Sequence, residues 1–247
     1  MEQNKKFCLI GKGISYSLSP KIHEQIYDIL GVKASYVIED IDECEIPRII
    51  KQYDGFNVTK PYKLVVRKYL SSAVDSVNTV IKRGAVVRGI STDGDGFIRA
   101  LKKTGGDGYS HYAVVGSGGA ALAVISALKG IGKNPCVFAR NASALEEICA
   151  LTGCEKGNKK HSYQAVIYCA SGGTDIPLDK KNLAYFMDLR YDGSEIKVDG
   201  AISINGLLML VSQAVLSAEK FLSIDLDEKR IDEITEIIYN TLCKPKN

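Results

Sequence analysis

The chain has 247 residues, 45% of them hydrophobic and 25% charged, enough for a sizeable core in one large domain or two of ordinary size. A formal net charge of +3, scattered along the sequence, gives no basis for a nucleic-acid or membrane-surface partner. A phosphorylated small molecule stays allowed, since it needs only one local positive site.

Short β-branched or apolar runs alternate with segments of helical period, which predicts α/β architecture with largely parallel sheets. Strands are expected over residues 7–10, 35–38 and 56–58. A helix follows the first of them, with Ser19 suited to the N-cap, Pro20 to the first turn, and Ile22, Ile26, Ile29 and Leu30 on one face. A second helix is expected near Pro61, and residues 77–82 and 86–90 flank Arg83-Gly84-Ala85 as a hairpin. The glycine-rich stretch 104–108 reads as a linker. Beyond it, strands at 112–115, 136–139, 165–168 and 185–188 alternate with helix-length segments in a Rossmann-like pattern. Two helices close the chain, at 207–222 and 228–242, the latter with Ile231, Ile234, Ile238 and Leu242 on one face. Periodicity leaves open which domain they join.

The uncharged run 113–128 falls short of the roughly 20 residues a bilayer span requires and carries glycines near its start, so it is not read as a membrane helix. No signal-type apolar stretch follows the polar residues 1–6. The seven cysteines form no CxxC and no Cys/His metal spacing, as expected of small buried residues in a reducing, cytoplasmic compartment.

Residues Gly116-Ser117-Gly118-Gly119-Ala120-Ala121 fit G-x-G-x-x-A between a predicted strand and a predicted helix. Gly116 suits the tight turn, Gly118 lets the backbone approach a pyrophosphate, and Ala121 lets the helix pack close to the strand. The helix N-terminus then offers N–H groups to phosphates. The next strand ends in Arg140-Asn141 with no carboxylate before Glu146. A carboxylate there would favour a ribose 2′-OH, whereas a guanidinium holds a 2′-phosphate, so the cofactor read from this position is NADP.

Polar residues gather where strands of the first half end: Ser15, Ser17 and Ser19; Thr59 and Lys63; Thr92 and Asp93. In open α/β sheets such positions converge on one crevice, and short hydroxyls and amides with one cation suit a polyhydroxylated acid. Each also has a plainer role: a helix cap for Ser19, a helix start for Thr59, a solvated lysine for Lys63, a turn or helix start for Asp93. No metal-ligand spacing is present. His23 is expected to be packed, and His111 and His161 are assigned no role.

Taken in order, Ser17-Leu18-Ser19-Pro20 with His23, Asn57-Val58-Thr59-Lys60-Pro61-Tyr62-Lys63, Val77-Asn78-Thr79-Val80, Ser91-Thr92-Asp93-Gly94, the glycine loop 116–121 and the segment Asn205-Gly206-Leu207-Leu208 through Gln213 resemble the shikimate dehydrogenase family. The resemblance implies two α/β domains with a cleft between them. Residues 1–101 would bind substrate, 102–205 would form a Rossmann-like NADP-binding domain, and the helices in 206–247 would return to the first. It further implies that Ser17 and Ser19 hold a substrate carboxylate and that Thr59, Asn78, Asp93 and Gln213 meet its hydroxyls. Lys63 and Asp93 would be the catalytic pair, and Tyr191 a further substrate contact. Arg140 would meet the 2′-phosphate, with residues 116–121, Asn141 and Gly206 completing the cofactor side. The implied reaction is reversible NADPH-dependent reduction of 3-dehydroshikimate to shikimate, on the route to aromatic amino acids, by a monomer or homodimer.

The chain departs from the family pattern at Ser91 (usually Asn), at Asn205-Gly206-Leu207-Leu208 (usually Asp-Gly-Leu-Gly), at Ala139-Arg140-Asn141 (usually Asn-Arg-Thr), and at Ala144, where a second arginine is frequent. For the chemistry, Lys63 is expected to donate a proton to the nascent alkoxide, with Asp93 bonding the substrate and holding Lys63. A position at a helix start would depress the lysine's pKa and Asp93 would raise it. Competing readings are an NAD-using quinate/shikimate dehydrogenase, a catalytically silent NADP-binding regulator, and a methylene-tetrahydrofolate dehydrogenase.

Overall fold

The computed structural model describes residues 5–170, 172 and 181–244; residues 1–4 of the polar N-terminus lie outside that set. It divides into two compact units, Met1–Thr92 with Leu210–Asn247, and Asp93–Met209.

The first unit is built on a six-stranded sheet of order β2-β1-β3-β5-β6-β4. Its strands are β1 (Lys5–Gly11), β2 (Ala34–Asp40), β3 (Gly55–Val58), β4 (Ser72–Ala73), β5 (Thr79–Arg83) and β6 (Val86–Ile90). β1 pairs in parallel with β2 and β3, while β3, β5 and β6 pair antiparallel through the hairpin. β4 pairs in parallel with β6, so this sheet is mixed with a parallel majority. β1 and β3 are buried along their apolar runs because both faces are covered. On one face Phe7 stacks on Phe221 with ring centroids 4.7 Å apart, beside the buried Ile22, Ile26 and Tyr27 of α1 (Ser19–Leu30). On the other, Cys8, Ile10, Phe56 and Val58 pack with Ile46 and Ile49 of α2 (Ile46–Gln52). The helix α7 (Glu228–Cys243) lies against α1 and buries Ile231, Ile234 and Ile238.

The second unit carries a five-stranded sheet of order β11-β10-β9-β7-β8, all parallel. Its strands are β7 (Tyr112–Val115), β8 (Cys136–Phe138), β9 (Ala165–Tyr168), β10 (Tyr185–Asp188) and β11 (Ile202–Asn205). Residues of β7, β9 and β10 are buried throughout, as continuous apolar strands between helices should be. The helices are α3 (Asp93–Lys103), α4 (Gly119–Gly130) and α5 (Ala142–Thr152). The sheet order places a topological switch between β7 and β9. The helix α6 (Leu207–Leu222) runs across the division at Leu210.

Three sequence expectations are corrected. The stretch 104–108 is no linker: the division falls at Thr92, because α3 packs on α4 and its end is anchored in the second unit. Thr104 Oγ1 lies 2.7 Å from Tyr185 Oη, and the Tyr112 hydroxyl donates to the Gly106 carbonyl. Gly106 is buried, and a Cβ there would lie 2.6 Å from the Tyr185 ring, so this glycine serves close packing. The helix expected at Pro61 is a run of turns, followed by a 3-10 turn at Val66–Tyr69. Tyr62 N–H bonds the Thr59 carbonyl and Val65 N–H the Tyr62 carbonyl at three-residue spacing, and the single four-residue bond from Val66 N–H to Tyr62 is not continued into an α-helix. Finally, Leu18, not Ser19, occupies the N-cap of α1; Ser19 is its first residue.

Candidate active site

In the first unit the chain leaves β1 toward β2 on one side, and later returns to β3 on the other. The loops after β1 and β3 therefore emerge side by side at a switch point, where open α/β sheets form crevices. Thr59 N–H donates to the Ile10 carbonyl at 2.9 Å, and Lys12 N–H to the Lys60 carbonyl at 3.1 Å. Only glycine fits at position 11, since a Cβ there would come within 2.7 Å of the Thr59 methyl and 2.8 Å of the Lys60 carbonyl oxygen. The Asp40 carboxylate accepts the Gly13 and Ile14 N–H groups at 3.1 Å each. These bonds, Ile14's first, hold its pKa below the ordinary aspartate value.

The expected ligands sit on this frame. Ser19 is buried and Ser17 partly so, with the Ser17 hydroxyl donating to Ser19 Oγ at 3.1 Å and accepting Ser19 N–H at 3.2 Å. Thr59 and Lys63 are partly buried, and the Lys63 carbonyl accepts Val77 N–H at 2.9 Å. No helix starts at Pro61, so Lys63 does not stand at a helix N-terminus.

Asn78 and Gln213 meet inside the first unit. Asn78 Nδ2 donates to Gln213 Oε1 at 3.0 Å and to Thr92 Oγ1 at 2.9 Å, while Asn78 Oδ1 accepts Thr92 N–H at 2.7 Å. The Thr92 hydroxyl donates to the Gln213 carbonyl at 3.1 Å. Behind them stand Asn57, Thr79, Tyr36 and His23, all buried, which sequence reasoning gave no site role. Their signal was present: Asn57 and Thr79 are polar residues on inward positions of otherwise apolar strands, where only a hydrogen-bonded role is tolerable. His23 stacks on Tyr36 at 3.9 Å, and burial pushes its imidazole down to about 3.

In the second unit Asp93 opens α3 and is buried. The loop after β7 matches its expected geometry. Gly116 has φ +139°, which favours glycine, and its N–H donates to the Phe138 carbonyl at 2.7 Å. Gly118 is the N-cap of α4, with no atom within 4 Å of where a Cβ would point. Ser117, Gly119 and Ala120 are partly buried, and Ala121 is fully buried beneath the helix start. Arg140, after β8, is exposed and makes no hydrogen bond or ion pair among the described residues. Asn141 has a structural task as well, its side chain capping α5 by accepting Ala144 N–H at 3.0 Å. Gly206 is a close-packing glycine: a Cβ would meet the Leu189 backbone carbonyl, and its N–H donates to the Arg190 carbonyl. Tyr191 is partly buried beyond β10. Just before it, Arg190 forms an ion pair with the fully buried Asp188 at 2.6 Å, and Asp188 also accepts Ile196 N–H at 2.8 Å. The carboxylate beside it raises the Arg190 pKa.

Known proteins offer a comparison for this arrangement. The family described as shikimate dehydrogenase substrate binding domain matches residues 9–81. Over 248 residues the chain is 32% identical to the shikimate dehydrogenase (NADP(+)) of an Exiguobacterium species, covering 90% of this chain and 94% of that protein. Among solved structures, a chorismate mutase/shikimate 5-dehydrogenase fusion protein from Clostridium acetobutylicum superposes with a TM-score of 0.85 at 28% identity, covering 98% of this chain and 100% of that one. The shikimate 5-dehydrogenase of Thermus thermophilus in complex with shikimate gives 0.82 at 24% identity, with 96% and 99% covered, and speaks to the fold alone.

Proposed function

We propose a reaction for a chain that belongs to the shikimate dehydrogenase family: the reversible NADPH-dependent reduction of 3-dehydroshikimate to shikimate. The observation that carries the substrate side is the hydrogen bond between Asn78 and Gln213, 135 residues apart in sequence and buried in one polar cluster with Thr92. Neither local propensity nor core packing calls for two amides there. A ligand bearing several hydroxyls does.

The cofactor side fits NADP. Gly116 adopts a backbone conformation that favours glycine, the space above Gly118 is open, and Arg140 is an exposed cation with no competing partner among the described residues. Residues 116–121 would hold the pyrophosphate, and Arg140 the 2′-phosphate. When bound, NADP supplies the hydride donor and acceptor.

The remaining chemistry belongs to this chain's side chains. Ser17 and Ser19 bind the carboxylate, while Thr59, Asn78, Tyr191 and Gln213 orient the ring. Lys63 gives a proton to the C3 oxygen as the ketone is reduced and takes it back in the reverse direction. Asp93 bonds the substrate and keeps the lysine in place. Asn141 and Gly206 take part through backbone position. The seven cysteines are free thiols, consistent with a reducing cytoplasm, and no helix among the described residues is long and apolar enough to cross a membrane.

The test is the absorbance of reduced nicotinamide with shikimate or quinate and NADP⁺ or NAD⁺. The expected result is the highest kcat/KM for shikimate with NADP⁺. No turnover with shikimate would overturn the reading, and a preference for quinate with NAD⁺ would replace it. Lys63→Ala should lower kcat about 10²-fold or more.

A further inference from the structure

The buried amides are wired in one direction, and backbone groups fix that direction. Thr92 N–H, 2.7 Å from Asn78, requires an acceptor there, so Asn78 Oδ1 faces Thr92 and Nδ2 faces Gln213. The Leu210 carbonyl, 2.9 Å from Gln213, requires a donor, so Gln213 Nε2 faces Leu210 and Oε1 faces Asn78. At the other end, the Asn78 carbonyl requires Asn57 Nδ2, leaving Asn57 Oδ1 to accept the Tyr36 hydroxyl at 2.7 Å. Thr79 joins the two halves. Its oxygen accepts Asn57 Nδ2 at 3.1 Å, and of the two acceptors in reach of its single proton Asn78 Oδ1 at 2.9 Å is nearer than Thr92 Oγ1 at 3.3 Å. Thr79 is 0% exposed and Asn78 2%, so water does not substitute for either bond.

We propose that Thr79 is a positioning residue: its hydroxyl, acting with the Thr92 N–H, holds the Asn78 amide in place and, through Asn78 and with the Leu210 carbonyl, steadies Gln213 so that the remaining Nε2 proton is offered to a substrate oxygen. The proposal rests on the reading of Gln213 as a substrate contact. Gln213, bonded to Asn78 and Leu210, keeps one Nε2 proton to give.

The experiment compares wild type, Thr79→Val, Thr79→Ser and Gln213→Leu, and the double variant Thr79→Val/Gln213→Leu. Steady-state shikimate oxidation is measured beside the side-chain amide NMR signals of Asn78 and Gln213 in the substrate-free protein. Thr79→Val should raise KM for shikimate about tenfold with kcat within twofold, the pattern of lost binding common to ground and transition states. Thr79→Ser should restore wild-type KM. In the Gln213→Leu background, Thr79→Val should have no further effect, since both changes act through one contact. The Asn78 and Gln213 amide signals should be sharp in wild type and averaged in Thr79→Val. An unchanged KM, additive effects in the double variant, or amide signals unaltered by Thr79→Val would overturn the proposal. If Thr79→Val does not fold, Tyr36→Phe interrupts the same chain one bond earlier without changing side-chain shape; it should raise KM less and shift the same amide signals, and an unchanged KM with unshifted signals would count against the proposal. A wild type that does not turn over shikimate sinks the proposed reaction, and the amide signals then decide the role of Thr79 separately.

Discussion

At the scale of single residues, the proposed choice of cofactor rests on Arg140. Arg140 was legible in the sequence because it stands at the end of the second strand of a Rossmann-like unit, where charge decides between a hydroxyl and a phosphate. It is exposed, and Ala144 leaves the neighbouring helix turn without a second cation. Arg140→Gln should raise KM for NADP⁺ by about tenfold or more while leaving KM for NAD⁺ nearly unchanged, because one charge-assisted contact to phosphate is lost. Equal losses with both cofactors would assign Arg140 another task. Asn141 shows why a motif position alone does not fix a role, since its side chain is occupied by the N–H of Ala144. The polar cluster behind Asn78 was harder to see. Nothing in the local pattern says that Asn57 and Thr79 point at each other, because that pairing depends on the register of β3 against β5, with Asn57 opposite Thr79.

At the scale of elements, strands bounded by turn residues were readable wherever burial on both faces gave an unbroken apolar run. Tyr112–Val115, Ala165–Tyr168 and Tyr185–Asp188 follow that rule, while the closing helices were readable from their helical period. The stretch after Pro61 was misread because proline suits a helix start as well as a turn, and only the turn bonding that passes into the 3-10 segment Val66–Tyr69 separates them. Glycines mislead in the opposite way. Gly106 reads as flexible, yet it, like Gly206, is a place where another group sits too close for a side chain. Gly206→Ala would drive a Cβ into the Leu189 backbone carbonyl, which has no side-chain freedom to yield. Overpacking of this kind typically costs about 1–3 kcal/mol, so Tm should fall on the order of 5 °C. A melting curve matching wild type would show that the loop after β10 relaxes freely.

At the scale of the whole molecule, one buried base contributes to the response to acid. Burial pushes His23 down to about 3, from an ordinary value near 6.5. Between these values the unfolded chain holds a proton that the folded chain does not, so stability is full above about 6.5 and is lost as pH falls toward 3. Urea unfolding across that window should show a loss approaching about 1.4 kcal/mol per pH unit, and His23→Phe should flatten it; equal slopes in the two proteins would remove His23 as the cause. The sequence by itself determined the α/β class, the glycine loop, the cationic end of β8 and the set of polar residues at strand ends, because these depend on short-range periodicity and on which chemical groups sit next to a turn. Tertiary structure alone decided the mixed order of the first sheet, the division at Thr92, the return of the chain from Leu210 into the first unit, and the one-way chain of amides ending at Gln213. Those features depend on which strands become neighbours and in what register, and such pairings join residues too far apart in sequence for any local pattern to record them.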